Sequence, residues 1–207
     1  MFRHLHLKPT FVDGLNMLPY KNAKYRNPNW KAAMESHRRA IRQVVLNGDR
    51  AAIVFEDDID LDINFKSQLE TIMDALPSDW KIVMLGHCAE RKGKVYKTLE
   101  TPARNITIHY SVHPFCGHAY MIKYHTAEEL LKILEHHGWS GHHHFDLTFG
   151  RFIGKHKHNS FSIWSPIVMQ REAGVTNNKH HNGFYDLPKG FESLHKVVSD
   201  KDYQVEV

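Results

Sequence analysis

The sequence has no long hydrophobic run and only two cysteines among its 207 residues. No segment reaches the roughly 20 apolar residues that a membrane-spanning helix requires, so we expect no membrane span. The opening residues, MFRHLHLK, contain no signal-peptide core. We therefore expect a soluble, cytoplasmic chain, or a protein of a secretory lumen if an upstream signal was lost.

The excess of positive over negative charge is also small: the net charge is +4 and the isoelectric point is about 9.0. Lysine and arginine are scattered rather than gathered in a stripe, which argues against a nucleic-acid partner and suits a small anionic ligand. A hydrophobic content of 42% in a chain of this length predicts one core and one domain. We place that domain at residues 1–176 and expect the polar residues 177–207 to form a C-terminal tail.

Clustered carboxylates at the end of a short apolar segment are the most informative feature that is present. The letters AAIVF at 51–55 predict a buried strand, and Glu56, Asp57 and Asp58 follow it directly. Neighbouring acids repel one another unless a cation neutralises them, and oxygen ligands suit magnesium, manganese or calcium. In open α/β sheets, ligands bind beyond the carboxyl ends of the strands. A divalent metal site is one interpretation, and a helix cap or solvated acidic turn is the other.

Alternating helix and strand patterns along the rest of the chain indicate the α/β class. Apolar residues recur at helical spacing in residues 28–47 and again in residues 65–76. Thr126 and Glu129 form a capping box that predicts the start of another helix, and a short helix is expected near Phe145. Strands are expected at residues 5–12, 81–85, 106–111, 116–123 and 161–164, with 106–111 and 116–123 paired.

Short motifs occur in a fixed order along residues 30–176. They are WKAAMESH at 30–37, IVFEDD at 53–58, SDW with LGHC at 78–88, HPFCGHAY at 113–120, and Phe145 with Asp146. Together they resemble glycosyltransferase family 25, which includes procollagen galactosyltransferases and lipopolysaccharide glycosyltransferases. The resemblance is greatest to the fungal-type members.

The resemblance implies a single GT-A-like, Rossmann-like α/β domain with a mixed sheet, and we expect this chain to lack the family's first strand. It implies a metal-dependent glycosyltransferase that moves a hexose, galactose or glucose, from a UDP-sugar to a hydroxyl of a glycan or protein. Glu56 and Asp58 would hold Mn2+ or Mg2+, and Ser36, His37 and Asp57 would complete the nucleotide site. A catalytically inactive homologue that only binds a glycan or partner is the alternative. A metal-dependent phosphohydrolase is a third interpretation.

Asp146 is the candidate general base, because an inverting transfer needs a base beside the acceptor hydroxyl, on the side opposite the leaving diphosphate. The alternative is that Asp146 only caps the helix that begins there. His37 lies on the apolar face of its helix, where a core histidine bonded to the backbone is the other interpretation. The three histidines at 142–144 are expected to form a solvated loop, because adjacent side chains diverge.

Cys88 and Cys116 do not have the spacing of a metal-binding pair. Each stands at one end of a predicted strand, and the resemblance matches both to cysteines of fungal-type relatives. A disulfide between them is one interpretation, and two reduced, buried thiols are the other. A disulfide would indicate an oxidising compartment and would require Cα atoms within about 7 Å of each other.

Overall fold

The structure, a computed structural model, describes residues 2–15, 28–88, 91–101, 103–136, 144–171 and 191–194. Helices and strands are interspersed along these ranges, with four consecutive strands in the middle of the chain, so the domain is of mixed α/β type. After a 3-10 turn at Phe2–Leu5, the elements in chain order are α1 Pro28–Asn47, β1 Ala51–Phe55, β2 Ile59–Leu61, α2 Phe65–Ala75, β3 Ile82–Cys88, β4 Val95–Glu100, β5 Asn105–Tyr110, β6 Phe115–Lys123, α3 Tyr124–His136, α4 Phe145–Lys155, β7 Ser160–Trp164 and β8 Val168–Gln170. None of these helices is long and apolar enough to cross a membrane.

A mixed six-stranded sheet forms the centre of the domain, with its strands in the order β1-β6-β3-β7-β5-β4. β3 and β7 are parallel, and the other neighbouring pairs are antiparallel. β2 and β8 form a separate antiparallel pair. The predicted mixed α/β architecture is confirmed, and it is compatible with a GT-A-like glycosyltransferase domain.

β3 is buried along its whole length because other elements cover both faces of the sheet. Val83 and Leu85 belong to a cluster that includes Phe65 of α2. Ile82 and Met84 belong to a second cluster, which is built mainly from α1, α3 and α4. Successive side chains of a strand point to opposite faces, so a continuous apolar run is what a strand buried on both faces needs.

The helix predicted at residues 28–47 is confirmed as α1. It stops at Gly48, whose φ is 68°. Glycine adopts this left-handed conformation without the steric cost that other residues meet, and it is common just after a helix. The chain then enters β1 within three residues, which brings the acidic turn to the edge of the main sheet.

The strand predicted at residues 5–12 is wrong. A 3-10 turn occupies the beginning of this segment, and the chain is irregular from there to residue 15. Leu5 is buried, and the ring of Phe2 packs on that of Phe55 with 5.8 Å between centroids. The apolar side chains therefore reach the core from a turn, and none of the described strands pairs with this segment.

Two further predictions need correction. Residues 106–111 and 116–123 do form strands, β5 and β6, but the two do not pair with each other. Both faces of β6 are apolar, and its central position between β1 and β3 buries them both, which a two-stranded hairpin would not do. Thr126 is buried inside α3 rather than capping it, because β6 runs directly into the helix at Tyr124.

Four residues of the predicted tail are described, and they pack on the domain. Phe191 and Leu194 are buried, and Ser193 forms an isolated antiparallel bridge with Asp62. The domain boundary at residue 176 stays a prediction.

Candidate functional site

The acidic turn, Glu56 to Asp58, follows β1 at one edge of the main sheet and is held by hydrogen bonds at both ends. The Glu56 N–H donates to the His118 carbonyl of β6 over 2.9 Å, and the Arg171 N–H donates to the Asp58 carbonyl over 2.6 Å. The Arg171 guanidinium also donates to the carbonyl of Asp57 over 3.2 Å. The turn is therefore fixed between β6 of the main sheet and the end of β8.

Glu56 is hydrogen-bonded to a buried histidine of α1. His37 Nε2 lies 3.0 Å from Glu56 Oε1, and His37 Nδ1 lies 3.3 Å from the Tyr120 hydroxyl oxygen. When Nε2 carries the proton, it donates to Glu56 and Nδ1 accepts from Tyr120. Burial disfavours the charged form of Glu56, but the hydrogen bond and charge of His37, with a contribution from His118, outweigh burial and lower its pKa. Glu56 is therefore a carboxylate at neutral pH, with one oxygen committed to His37.

Asp58 lies near the negative charges of Glu56 and Asp57. Its Oδ2 accepts a hydrogen bond from the Gln170 amide over 2.8 Å, whereas its Oδ1 is buried with no partner among the described residues. Burial raises the pKa of Asp58, and the charges of Glu56 and Asp57 raise it further against the effect of Gln170. A divalent cation would relieve this repulsion, and carboxylate oxygens are ligands that Mg2+ and Mn2+ prefer. The residues therefore fit a hard cation.

Asp146 lies in the first turn of α4 and interacts with the acidic turn. Burial raises the pKa of Asp146, and the negative charge of Glu56 raises it further, while His37 and His144 act in the opposite direction. The Asp146 carboxylate accepts a hydrogen bond from the N–H of Gly117, which belongs to β6 and not to its own helix. The fold thus brings Asp146 and Glu56 into one site, although they lie in different halves of the chain.

Two of the predicted nucleotide-site residues are Ser36 and Asp57, and the structure places them differently. The Ser36 hydroxyl donates to the Ala32 carbonyl over 2.8 Å and accepts the N–H of Leu15 over 3.1 Å, so it fastens the irregular N-terminal segment to α1. Asp57 is exposed. The roles of Ser36 and Asp57 in nucleotide binding stay predictions. Of the histidine run, residues 142–143 lie outside the described part of the chain.

A disulfide joins Cys88, at the end of β3, to Cys116, near the start of β6. Their Cα atoms are 5.5 Å apart, so the predicted proximity is confirmed. His118 follows two residues later and is 2% exposed. Burial lowers the pKa of His118 to about 4 against the attraction of Glu56, so its ring is neutral at pH 7.

Sequence reasoning missed three residues that support the site. Tyr120 and His118 both lie in the HPFCGHAY motif, so the motif itself was a signal that could have found them. Gln170 carries no such signal. It contacts Asp58 from 112 residues away, and only the pairing of β8 with β2 brings it there.

The fold and the site together define a class: a mixed α/β domain, compatible with a GT-A-like glycosyltransferase, with carboxylates gathered at a strand end. The family model described as glycosyltransferase family 25, lipopolysaccharide biosynthesis protein, matches residues 30–146. This match covers more than half of the chain and includes His37, the acidic turn and Asp146. The chain belongs to glycosyltransferase family 25. A comparison with curated proteins finds no match.

Proposed function

We propose that the chain is a metal-dependent glycosyltransferase that moves a hexose, galactose or glucose, from a UDP-sugar to a hydroxyl of a glycan or protein. Family membership supports glycosyl transfer. The observation that supports metal dependence and a carboxylate base is the closeness of Glu56 to both Asp58 and Asp146. The charge of Glu56 raises the pKa of each of these two carboxyl groups. Carboxylates that repel one another in one place suit a site that binds a cation beside a reacting hydroxyl.

Glu56 and Asp58 are the proposed ligands of Mn2+ or Mg2+. Asp58 Oδ1 is buried without a described partner, and the His37 nitrogen is bonded to Oε1 of Glu56, which leaves Oε2. A bound cation supplies positive charge that stabilises the diphosphate leaving group. His37 and Gln170 orient the two carboxylates by hydrogen bonds, as groups behind metal ligands commonly do.

Asp146 is the proposed general base. Its carboxylate removes the proton from the acceptor hydroxyl as that oxygen bonds to the anomeric carbon and the bond from carbon to the diphosphate breaks. A raised pKa makes the carboxylate a stronger base, and the group remains ionised at any pH above that pKa. The backbone hydrogen bond from Gly117 acts in the opposite direction and lowers the pKa of Asp146.

A transfer assay tests this proposal. The chain is incubated with Mn2+, UDP-galactose or UDP-glucose, and a glycan or hydroxylated peptide, and the product is identified by mass spectrometry. We expect transfer by the unaltered chain and a loss of about 100-fold or more in Asp146→Asn, with UDP affinity changed by less than about 2-fold. Asp74→Asn is the matched control, because Asp74 is exposed on α2, and we expect it to keep full activity.

Three results would contradict the proposal. Full transfer by Asp146→Asn would remove Asp146 as the base. Binding of UDP without any transfer by the unaltered chain would favour the inactive, ligand-binding homologue. Release of phosphate from simple esters without sugar transfer would favour the phosphohydrolase.

A further inference from the structure

The disulfide lies directly beside a backbone group that contacts the proposed base. Cys116 is bonded to Cys88, and Gly117 is the next residue in the chain. Gly117 packs against the ring of Phe145, the residue before Asp146, and its backbone hydrogen bond to the Asp146 carboxylate lowers the pKa of that group. A covalent link between β3 and β6 therefore ends one residue away from the contact that orients Asp146.

The following residue makes a second contact with the site. The His118 carbonyl accepts the N–H of Glu56 over 2.9 Å. The ring of His118 is buried, and one of its nitrogens lies within 4.8 Å of the sulfur atoms of Cys88 and Cys116. The backbone of Glu56 is thus attached to the same short segment as the carboxylate of Asp146.

This segment, residues 116–118, is strained and irregular. Cys116 has a φ of 64°, a left-handed conformation that is strained for an L-residue. The pairing of β3 with β6 shifts register twice between Met84 and Cys88, so the regular ladder is interrupted beside the disulfide. The Gly117 backbone also lies close to α4, because a Cβ there would be 2.5 Å from Phe145 Cε1. The disulfide is therefore a covalent constraint at a strand end whose conformation needs support.

We propose that the Cys88–Cys116 disulfide is a positioning element of the transfer site and that its reduction lowers activity. This inference rests on the proposed role of Asp146 as the base. A dithiol reductant attacks the disulfide and becomes a cyclic disulfide itself, while its two electrons and two protons leave both cysteines as thiols. Once the link is broken, the segment no longer presents the N–H of Gly117 to Asp146, and the proton transfer slows.

Kinetics of the oxidised, reduced and reoxidised protein test the inference. The chain has no other cysteine, so a dithiol can reduce no other disulfide in it, and the dithiol is removed before Mn2+ is added because thiolates bind metal ions. We expect reduction to lower kcat about 10-fold or more and to raise the donor KM by a clearly smaller factor, because the segment contacts Asp146 directly but holds Glu56 only through its backbone N–H. Reoxidation should restore kcat. The double variant C88A/C116A should match the reduced enzyme and should not respond to the dithiol.

The pH profile separates positioning from a general loss of structure. The hydrogen bond from Gly117 favours the ionised form of Asp146, so its loss should move the acid limb of kcat to higher pH. The other ionisable groups that act on Asp146 are Glu56, His37 and His144, and none of them is removed by reduction. An unchanged acid limb, or an unchanged kcat in an active enzyme, would overturn the inference.

Amide hydrogen exchange can be measured without enzymatic activity. It therefore tests the positioning role of the disulfide separately from the proposed glycosyl transfer. We expect faster exchange at Gly117 and Glu56 after reduction and unchanged exchange at Met121, deeper in β6. Unchanged exchange at Gly117, or equal acceleration at Met121, would overturn the positioning role. A chain that transfers no sugar but shows the local change at Gly117 would support the positioning role and contradict only the proposed function.

Discussion

The imidazole of His37 lies parallel to the phenyl ring of Phe145, with 3.6 Å between ring centroids and 3° between ring planes. His37 belongs to α1 and binds Glu56, whereas Phe145 immediately precedes Asp146 in α4. One aromatic contact therefore links the two helices that support the carboxylates of the proposed site.

His37→Ala should weaken both the fold and the site. It removes the contacts with Glu56, Tyr120 and Phe145, and we expect the free energy of unfolding to fall by about 2–4 kcal/mol. Metal-dependent UDP binding should weaken as well, because Glu56 loses the group that orients it. Urea denaturation and titration calorimetry measure the two effects.

The control for this variant is Arg42→Ala on the same helix. Arg42 forms an exposed ion pair with Glu135 at 2.7 Å, and such pairs contribute at most about 1 kcal/mol. We expect unchanged UDP binding in the control. Equal UDP affinity in His37→Ala and Arg42→Ala would contradict the role given to His37.

Asp146→Asn should stabilise the metal-free protein at neutral pH even though it removes activity. The pKa of Asp146 is raised above its ordinary value of 3.8 in the fold, so folding disfavours the ionised carboxylate at any pH above that value. Asparagine keeps an acceptor oxygen for Gly117 and removes the charge that Glu56 repels. We expect the Tm at pH 7 to rise by about 2 °C.

The same effect should disappear in acid. Below the ordinary pKa of an aspartate, Asp146 is protonated in both the folded and the unfolded chain, so the two proteins should have equal Tm there. Thermal unfolding of both proteins at pH 7 and at about pH 2.5 measures the difference. A lower Tm of Asp146→Asn at pH 7 would argue against the raised pKa.

Gly86→Ala should be strongly destabilising. A Cβ at Gly86 would lie 2.3 Å from His118 Nε2 and 2.5 Å from the Val168 carbonyl oxygen, which belongs to the backbone of β8. The His118 carbonyl accepts the N–H of Glu56, so a displacement of His118 would also shift the acidic turn. We expect a loss of about 2–4 kcal/mol in the free energy of unfolding.

Gly150→Ala is its matched control. Gly150 lies inside α4, where a Cβ would come no closer than 3.5 Å to the Pro114 carbonyl oxygen, an ordinary contact. Alanine favours a helix over glycine by up to about 1 kcal/mol. The control should therefore be as stable as the unaltered chain or more so. Destabilisation of both variants to the same degree would count against the contact at Gly86.

Local patterns predicted the elements that lead to the site. Helical spacing and Gly48 predicted α1 and its end, and the apolar run at 51–55 predicted β1. The acidic turn follows from these two, because its position at a strand end depends only on neighbouring residues. The mixed α/β class followed from the same alternation.

Features that depend on distant pairing could not be read from local patterns. β2 and β8 have three residues each, too few for a recognisable period, and they form only by pairing with each other. β4 is mostly exposed and depends on its pairing with β5, so no strand was predicted at residues 95–100. The predicted pairing of β5 with β6 was wrong for the same reason. Strands that follow each other in sequence often pair, but β6 is apolar on both faces and is buried between β1 and β3.

Thermal shift with UDP and Mn2+ tests whether Glu56 and Asp58 form the proposed joint site for a divalent cation and a nucleoside diphosphate. If cation and diphosphate bind together, the shift with both exceeds the sum of the shifts with each alone, because each ligand strengthens the binding of the other. Asp58→Asn should abolish this excess and leave the fold intact, whereas the exposed Asp74→Asn should retain it. Purely additive shifts in the unaltered chain, or an undiminished excess in Asp58→Asn, would contradict a joint cation and diphosphate site at Glu56 and Asp58.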